Sequence, residues 1–451
     1  METQKQKKPF GEWIKTSITI RMLMVGILIL VLLIPLSYIK NLIQERNIRQ
    51  DETVKEINQK WGNEVLLYGP ILKIPYQIHT PKKIWDKKTE SYIEEDIITT
   101  DYGFFFPNTL DIQSDIQSET LKRGIYKSGV YTADMDIKGS FSVPNFEIQN
   151  IAAADILWNK ATVIINSTNL KGIKSNLELK LGPNSYPLRS RYTKNSYTNI
   201  LETKFLNENS LPKDNTINFD LQLTINGSEE LKFIPVGRET KVTMTSNWSS
   251  PNFSGNYLPD PKTKEISENG FKANWKILQI NREFEQEFFG ELPHINSSAF
   301  GVKLFIPIDE YQKSERATKY GYLVIALTFL VFFLIQSISK IHIHPFQYLM
   351  IGLALTMFYT LLISISEHSN FFIAYGIAGV SVIVLISTYS KAILKSFKFM
   401  RFIATSLIAL YTFIFVIIQL EKYALLVGSI GLFLILGTIM MASRKIDWSN
   451  N

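Results

Sequence analysis

Six stretches of this chain are close to 20 residues long, strongly apolar and free of internal charge apart from Arg21 at the start of the first. A helix rises ~1.5 Å per residue, so ~20 such residues cross the ~30 Å hydrocarbon layer of a bilayer. The stretches lie at about 18–39, 320–337, 346–366, 371–389, 402–418 and 423–442. This predicts six membrane-spanning helices. The third and fourth, and the fifth and sixth, are separated by only about five residues, which predicts tight antiparallel pairs. The first stretch is longer than the apolar run of a signal peptide, and Pro35-Leu36-Ser37-Tyr38 offers no small-residue cleavage site, so an uncleaved anchor is expected.

Charge follows the same division. Residues 40–320 hold 35 basic and 36 acidic side chains, whereas the flanks hold 13 and 5. The whole excess of positive charge therefore sits in the most apolar parts of the chain. That pattern argues for membrane topology and against nucleic-acid binding. If six helices alternate, Lys5, Lys7, Lys8, Lys15, Arg21, Lys340, Lys391, Lys395, Lys398, Arg401, Arg444 and Lys445 share one side, while Lys422 stands in the short loops of the other. The positive-inside rule then puts 1–17 and the tail 443–451 in the cytoplasm and 40–319 outside. With no cysteine in the chain, the outer segment is expected to fold without disulfides.

The outer segment begins as a polar continuation of the first helix over 40–61, with Glu45 and Arg49, and Glu56 and Lys60, spaced for i,i+4 pairing. The period then changes to two. Ile217, Phe219, Leu221, Leu223 and Ile225 alternate with polar residues and run into Asn226-Gly227, a hairpin signal, with 231–234 as the returning strand. Leu177, Leu179 and Leu181, and Val302, Leu304, Ile306 and Ile308, alternate likewise. Pro, Asn, Ser and Gly break the runs every 8–15 residues. The expected architecture is α+β: six transmembrane helices with a large, mainly antiparallel, sandwich-like β domain outside. Short helices are expected at 151–157 and 284–292. Ser142-Val143-Pro144-Asn145-Phe146 and Ser249-Ser250-Pro251-Asn252-Phe253 form a weak repeat, read either as two related β lobes or as chance.

Several side chains stand out as candidates for coupling or interaction. Asp309, Lys313, Glu315, Arg316 and Lys319 surround the start of the second span, where a short charged connection leaves little slack between strand and helix. These residues are read as fixing the angle of the outer domain or docking a partner. Glu367 and His368 end the third span, either as a hydrogen-bonded helix end or as a ligand or pH-sensing pair. Arg123, Tyr126 and Tyr131 are read either as ordinary strand packing or as an aromatic-basic surface for glycan or peptide. His342 and His344 lack neighbouring ligands and read as interfacial polar residues. The spans carry no ionisable residue in their cores, which argues against a proton-coupled pump. Nucleophile-elbow, Walker, dinucleotide and zinc-protease motifs are absent, so no catalytic residue, metal or cofactor is assigned.

Five long stretches carry a family resemblance: LIQERNIRQ with LYGPILKIPY (42–76), KRGIYKSGVYTADMDIKGSF (122–141), FIPVGRETKVTMTSNWSSPNFSGNYLP (233–259), FGVKLFIPIDEYQKSERATKYGYLVIALTFLVFFL (300–334) and HPFQYLMIGLALTMFYTLLISISEHSNFFIAYGIAG (344–379). In this order they resemble the CreD family of inner-membrane, cell-envelope integrity proteins. Gln336 stands where that family often carries an acid. The resemblance implies a periplasmic β domain, a role in envelope stress and in tolerance to colicins and β-lactams, and no enzymatic activity or cofactor. The expected partners are the lipid bilayer and another envelope protein or polymer. A transport component and a periplasmic hydrolase are the competing functions.

Overall fold

The computed structural model describes residues 18–86, 91–191, 199–213, 215–304, 310–339, 341–420 and 423–444. Residues 1–17, Lys340, Lys422, 445–451, and Ile306, Ile308 and Asp309, all used in the sequence reading, lie outside the described residues. Contacts divide the chain into a β unit of residues 52–307 and a helix unit built from the two flanks.

Helix α1 (Ile18–Trp61) is continuous for 44 residues, so the predicted polar extension is borne out. Both expected pairs form on it, Arg49 to Glu45 at 2.6 Å and Lys60 to Glu56 at 2.7 Å. The helix unit continues with α2 (Glu310–Lys319), α3 (Gly321–Ser339), α4 (Pro345–Ser366), α5 (Phe371–Leu394), α6 (Phe397–Gln419) and α7 (Ala424–Ser443). Among the described residues six helices are long and apolar enough to span a membrane. The fifth starts five residues earlier than expected, and takes Lys398 and Arg401 into its first turns. Local chemistry sets the starts. His344 Nδ1 accepts from Phe346 N–H, and Gln347 Oε1 accepts from His344 N–H, so His344 is the cap of α4. Asn370 Oδ1 accepts from Ile373 N–H and starts α5. Glycines let helices approach closely: a Cβ on Gly352 would lie 2.1 Å from Leu32 of α1, and one on Gly321 2.7 Å from Leu36.

Residues 310–319 of the charged connection form the helix α2, with Ser314, Ala317 and Thr318 buried. It packs against α4 and α6 within the helix unit.

Among the described residues seventeen strands form the β unit. β1 (Val65–Asp86), β2 (Ser91–Phe105), β5 (Thr162–Ser167), β8 (Arg189–Arg191), β9 (Asn199–Glu202), β11 (Glu230–Phe233), β13 (Pro251–Gly255), β16 (Glu287–Phe289) and β17 (Phe300–Leu304) make one sheet. β3 (Thr109–Arg123), β4 (Tyr126–Phe141), β6 (Glu178–Leu181), β7 (Asn184–Pro187), β10 (Ile217–Ser228), β12 (Glu239–Ser246), β14 (Glu265–Ser267) and β15 (Gly270–Leu278) make the other. Pairing is mainly antiparallel, with β1–β11 and β3–β12 parallel. Alternation of buried and exposed residues along β3, β12 and β15 buries one face of the second sheet. Both sheets feed a single core that includes Ile71, Tyr131, Phe233, Met244 and Phe300.

Three expectations need correction. Asn226-Gly227 is no hairpin turn. β10 runs through it, pairing with β4 as far as Ser228↔Val130. Gly227 is there for room, because a Cβ would lie 2.3 Å from the Tyr131 hydroxyl. The turn comes later, at Glu229, whose φ of +60° carries the chain from one sheet to β11 in the other. Segment 151–157 holds a 3-10 turn at Ala153–Asp155, and 284–292 holds strand β16, so neither is an α-helix. The repeat has no common structure: 142–146 is irregular, and Pro251–Gly255 is β13.

Candidate binding cleft

Topology brings three loops to one end of the second sheet. β3 and β12 run parallel with Thr109 beside Glu239, so the segments leading into both strands, 106–108 and 234–238, arrive together. β15 runs antiparallel to β12 with Leu278 beside Glu239, and so delivers 279–286 to the same place. Backbone bonds lock the three: Arg238 N–H to Pro107 O (2.9 Å), Gln279 N–H to Arg238 O (2.8 Å) and Phe106 N–H to Gln286 O (3.0 Å).

Arg282 staples them from inside. Its Nη1 donates to the carbonyls of Pro235 (3.3 Å) and Val236 (3.0 Å), its Nη2 donates to Gln286 Oε1, and Gln286 Nε2 donates to Pro107 O (2.7 Å). The guanidinium carbon lies 4.5 Å from the centre of the Phe284 ring. Burial pushes the Arg282 pKa down to about 10, so it still carries its charge at neutral pH.

Around this staple lies an open cleft of about 790 Å³, lined by Arg238, Gln279, Ile280 and Glu285 among others. A second lobe of about 470 Å³ shares Asn108, Arg238, Gln279 and Glu285 and reaches Val143, Ile148 and Glu287. The rim is apolar in an unusual way, with Ile280 86% and Ile148 63% exposed, and Val143 and Leu278 also exposed. Arg238 and Glu285 are exposed beside them. The half-buried Glu287 carboxyl is raised above its ordinary value by burial, against the pull of an Asn145 N–H bond and Arg238. The exposed Arg238 guanidinium, several carboxylates and exposed aliphatic side chains around an open groove suit a chain-like, amphipathic ligand better than an enclosed small molecule.

The residues singled out from sequence fall elsewhere. Tyr131 is wholly buried, and its hydroxyl donates to Glu230 O (2.8 Å), so it belongs to no surface. Arg123 and Tyr126 are cross-strand partners, and Arg123 pairs with Glu56. Ordinary strand packing describes this trio, and the aromatic-basic surface does not form. In the helix unit Glu315 pairs with Lys319 (3.2 Å), while Lys313 and Arg316 lie on the same α2 helix. Glu367 caps α4 and pairs with Arg46 of α1, whereas the His368 N–H closes the same helix end on Ile365 O. Gln336 is buried and accepts from the Tyr348 hydroxyl (2.8 Å). Sequence reading missed Arg238, Arg282 and Phe284. The signal was present: Gly237-Arg238 lies inside a resemblance stretch, and Arg282 stands among Phe284, Phe288 and Phe289.

A family model described as "Inner membrane protein CreD" matches residues 17–449. The chain belongs to the CreD family. Inner membrane protein CreD of Escherichia coli (strain K12) is 30% identical over 426 residues, covering 93% of this chain and 91% of the relative. The inner-membrane description of the CreD family agrees with the six apolar helices.

Proposed function

We propose that this chain supports cell-envelope integrity as a non-enzymatic CreD-type inner-membrane protein, and that its β unit binds an envelope polymer or another envelope protein through the cleft around Arg238. The observation that carries this is the exposed aliphatic rim, Ile148, Leu278 and Ile280, beside exposed Arg238 and Glu285. Such a patch is costly on a monomer with nothing to cover it. Both termini are cytoplasmic and 40–319 is periplasmic in this reading, in keeping with the Lys and Arg distribution. Load on the β unit is passed to the helices through α1 and residues 309–319.

Complementation tests it. In a strain lacking the protein and sensitive to envelope stress, Arg238→Glu and Ile280→Asp insert at wild-type levels and fail to restore tolerance. Full complementation by both overturns the cleft as the working site. A Gly/Ser insertion after Asp309 that complements fully removes the coupling step and leaves the cleft standing. Compartment reporters at Asn451 and near Lys213 give opposite signals, and the same signal at both defeats the orientation.

A second reading, a transport component for an envelope substrate, draws on the helix unit. The hydroxyls of Tyr359 and Tyr411 are buried there with no hydrogen-bond partner among the described residues. An unpaired buried hydroxyl costs about 1–3 kcal/mol, which a passing polar solute would relieve. Substrate-dependent flux in reconstituted vesicles, lost in Tyr359→Phe, favours this reading.

A further inference from the structure

Helix α7 packs differently from the other spans. It has no fully buried residue, and its packing partner among the described helices is α6. The two helices touch closely at Gly431, where a Cβ would lie 2.2 Å from the Phe413 ring. From that crossing a groove of about 960 Å³ opens between α3, α6 and α7. It runs from Phe413 to Lys398 on α6, from Gly431 to Ala442 on α7 and from Leu327 to Ile338 on α3. At ~1.5 Å per residue these stretches make it roughly 17–22 Å deep, between half and three-quarters of a ~30 Å hydrocarbon layer. The groove therefore stops short of crossing the bilayer.

Its walls are hydrocarbon. Ser406 and Thr438 turn their hydroxyls back onto the carbonyls of Phe402 and Leu434. Thr328 is a lone buried hydroxyl without a partner among the described residues, too little for a polar path. At one end the lining carries Lys398 and Arg401, both exposed, and among the described residues no carboxylate lines the groove. Arg444 follows α7 at that same end.

We propose that this groove is a binding site for one anionic phospholipid, with an acyl chain against α3, α6 and α7 and the phosphate at Lys398 and Arg401. Arg matches a phosphate with paired N–H donors, and Lys adds a point charge. Basic pockets between membrane helices select acidic headgroups over zwitterionic ones for this reason. The lipid fills the wedge below the Gly431–Phe413 crossing and holds α7 to the bundle. A second copy of the chain is the rival occupant of the same face, and the test separates the two.

The full chain is purified in a neutral detergent and titrated with phosphatidylglycerol and phosphatidylcholine of identical acyl chains, and bound lipid is counted by native mass spectrometry. One phosphatidylglycerol per chain is expected at concentrations about tenfold below those needed for phosphatidylcholine. The double variant Lys398→Gln/Arg401→Gln loses that preference, and Lys398→Arg/Arg401→Lys keeps it. Ser406→Trp fills the groove and lowers the binding of both lipids, with an unchanged thermal midpoint in lipid-free detergent showing that the fold survives. Equal binding of the two lipids by the wild type, or a preference that survives Lys398→Gln/Arg401→Gln, overturns the proposal. Because the chain has no cysteine, Leu434→Cys gives a single thiol on the groove face. Efficient disulfide dimers of this variant in membranes assign the face to a second copy and likewise overturn it.

Discussion

Arg46 Nε lies 3.4 Å from Glu367 Oε1, which ties α1 to the C-terminal end of α4 within the helix unit. Glu367 is the more enclosed partner, with a side chain 17% exposed against 35% for Arg46. Pairs at this level of exposure contribute about 0.5–1 kcal/mol. Arg46→Ala and Glu367→Gln are each expected to destabilise the helix unit by about that amount. The double variant should cost no more than the worse single one, by thermal unfolding of the full chain in detergent. Additive losses would show that the two do not act as a pair.

Gly227 and Tyr131 make a sharper test. The Tyr131 ring occupies the space of a Gly227 side chain, and its hydroxyl holds Glu230 O. Gly227→Ala is expected to cost about 3 kcal/mol, at the upper end for overpacking, because Tyr131 is wholly buried and has nowhere to move. Tyr131→Phe loses the hydrogen bond alone, about 1 kcal/mol. Five of the seven tryptophans lie in residues 52–307, so tryptophan fluorescence follows this unit.

The same pair shows why parts of the fold were legible and others were not. Period-two alternation placed β10, and the length of the apolar runs placed the spans, because both are properties of neighbours along the chain. Asn226-Gly227 has the local chemistry of a turn, and nothing nearby in sequence reveals that Tyr131 needs the space. The cleft was invisible for the same reason. Arg238, Arg282 and the loop at Pro107 are far apart in the chain and meet through the parallel pairing of β3 and β12. Arg123, Tyr126 and Tyr131 are close in sequence, yet Tyr131 lies in a stretch of β4, 128–131, that is buried on both faces, while Tyr126 at the start of the strand stays only half-buried.

Arg282 should be structurally irreplaceable. It holds two loop carbonyls and Gln286 at once. Lys cannot span these with a single ammonium. Arg282→Ala is expected to cost the β unit about 3 kcal/mol through unpaired buried carbonyls, and Arg282→Lys about 2 kcal/mol. Hydrogen exchange should rise at 106–108 and 234–238 before it rises elsewhere. Wild-type exchange at those loops in Arg282→Ala would show that the staple is idle.

Glu287 carries a pH dependence with a definite sign. Its Oε2 is buried without a partner among the described residues, and burial raises the folded carboxyl above its ordinary value. The folded state then holds the proton more tightly than the unfolded chain does. Stability from this site is complete below the unfolded carboxyl value and is lost as pH rises through the higher folded one. Glu287→Gln removes the ionisation and keeps the shape. At neutral pH the variant should be more stable than the wild type by about 0.5–1 kcal/mol, as one unpaired carboxylate oxygen ceases to be charged. On acidification below the unfolded carboxyl value the advantage should vanish. Other carboxylates titrate in the same range, so the difference between variant and wild type is the quantity to read, by denaturant unfolding across pH 4–8. A difference that is flat across this range, or that grows toward acid, would mean that the carboxylate is stabilised in place by Asn145 N–H and Arg238.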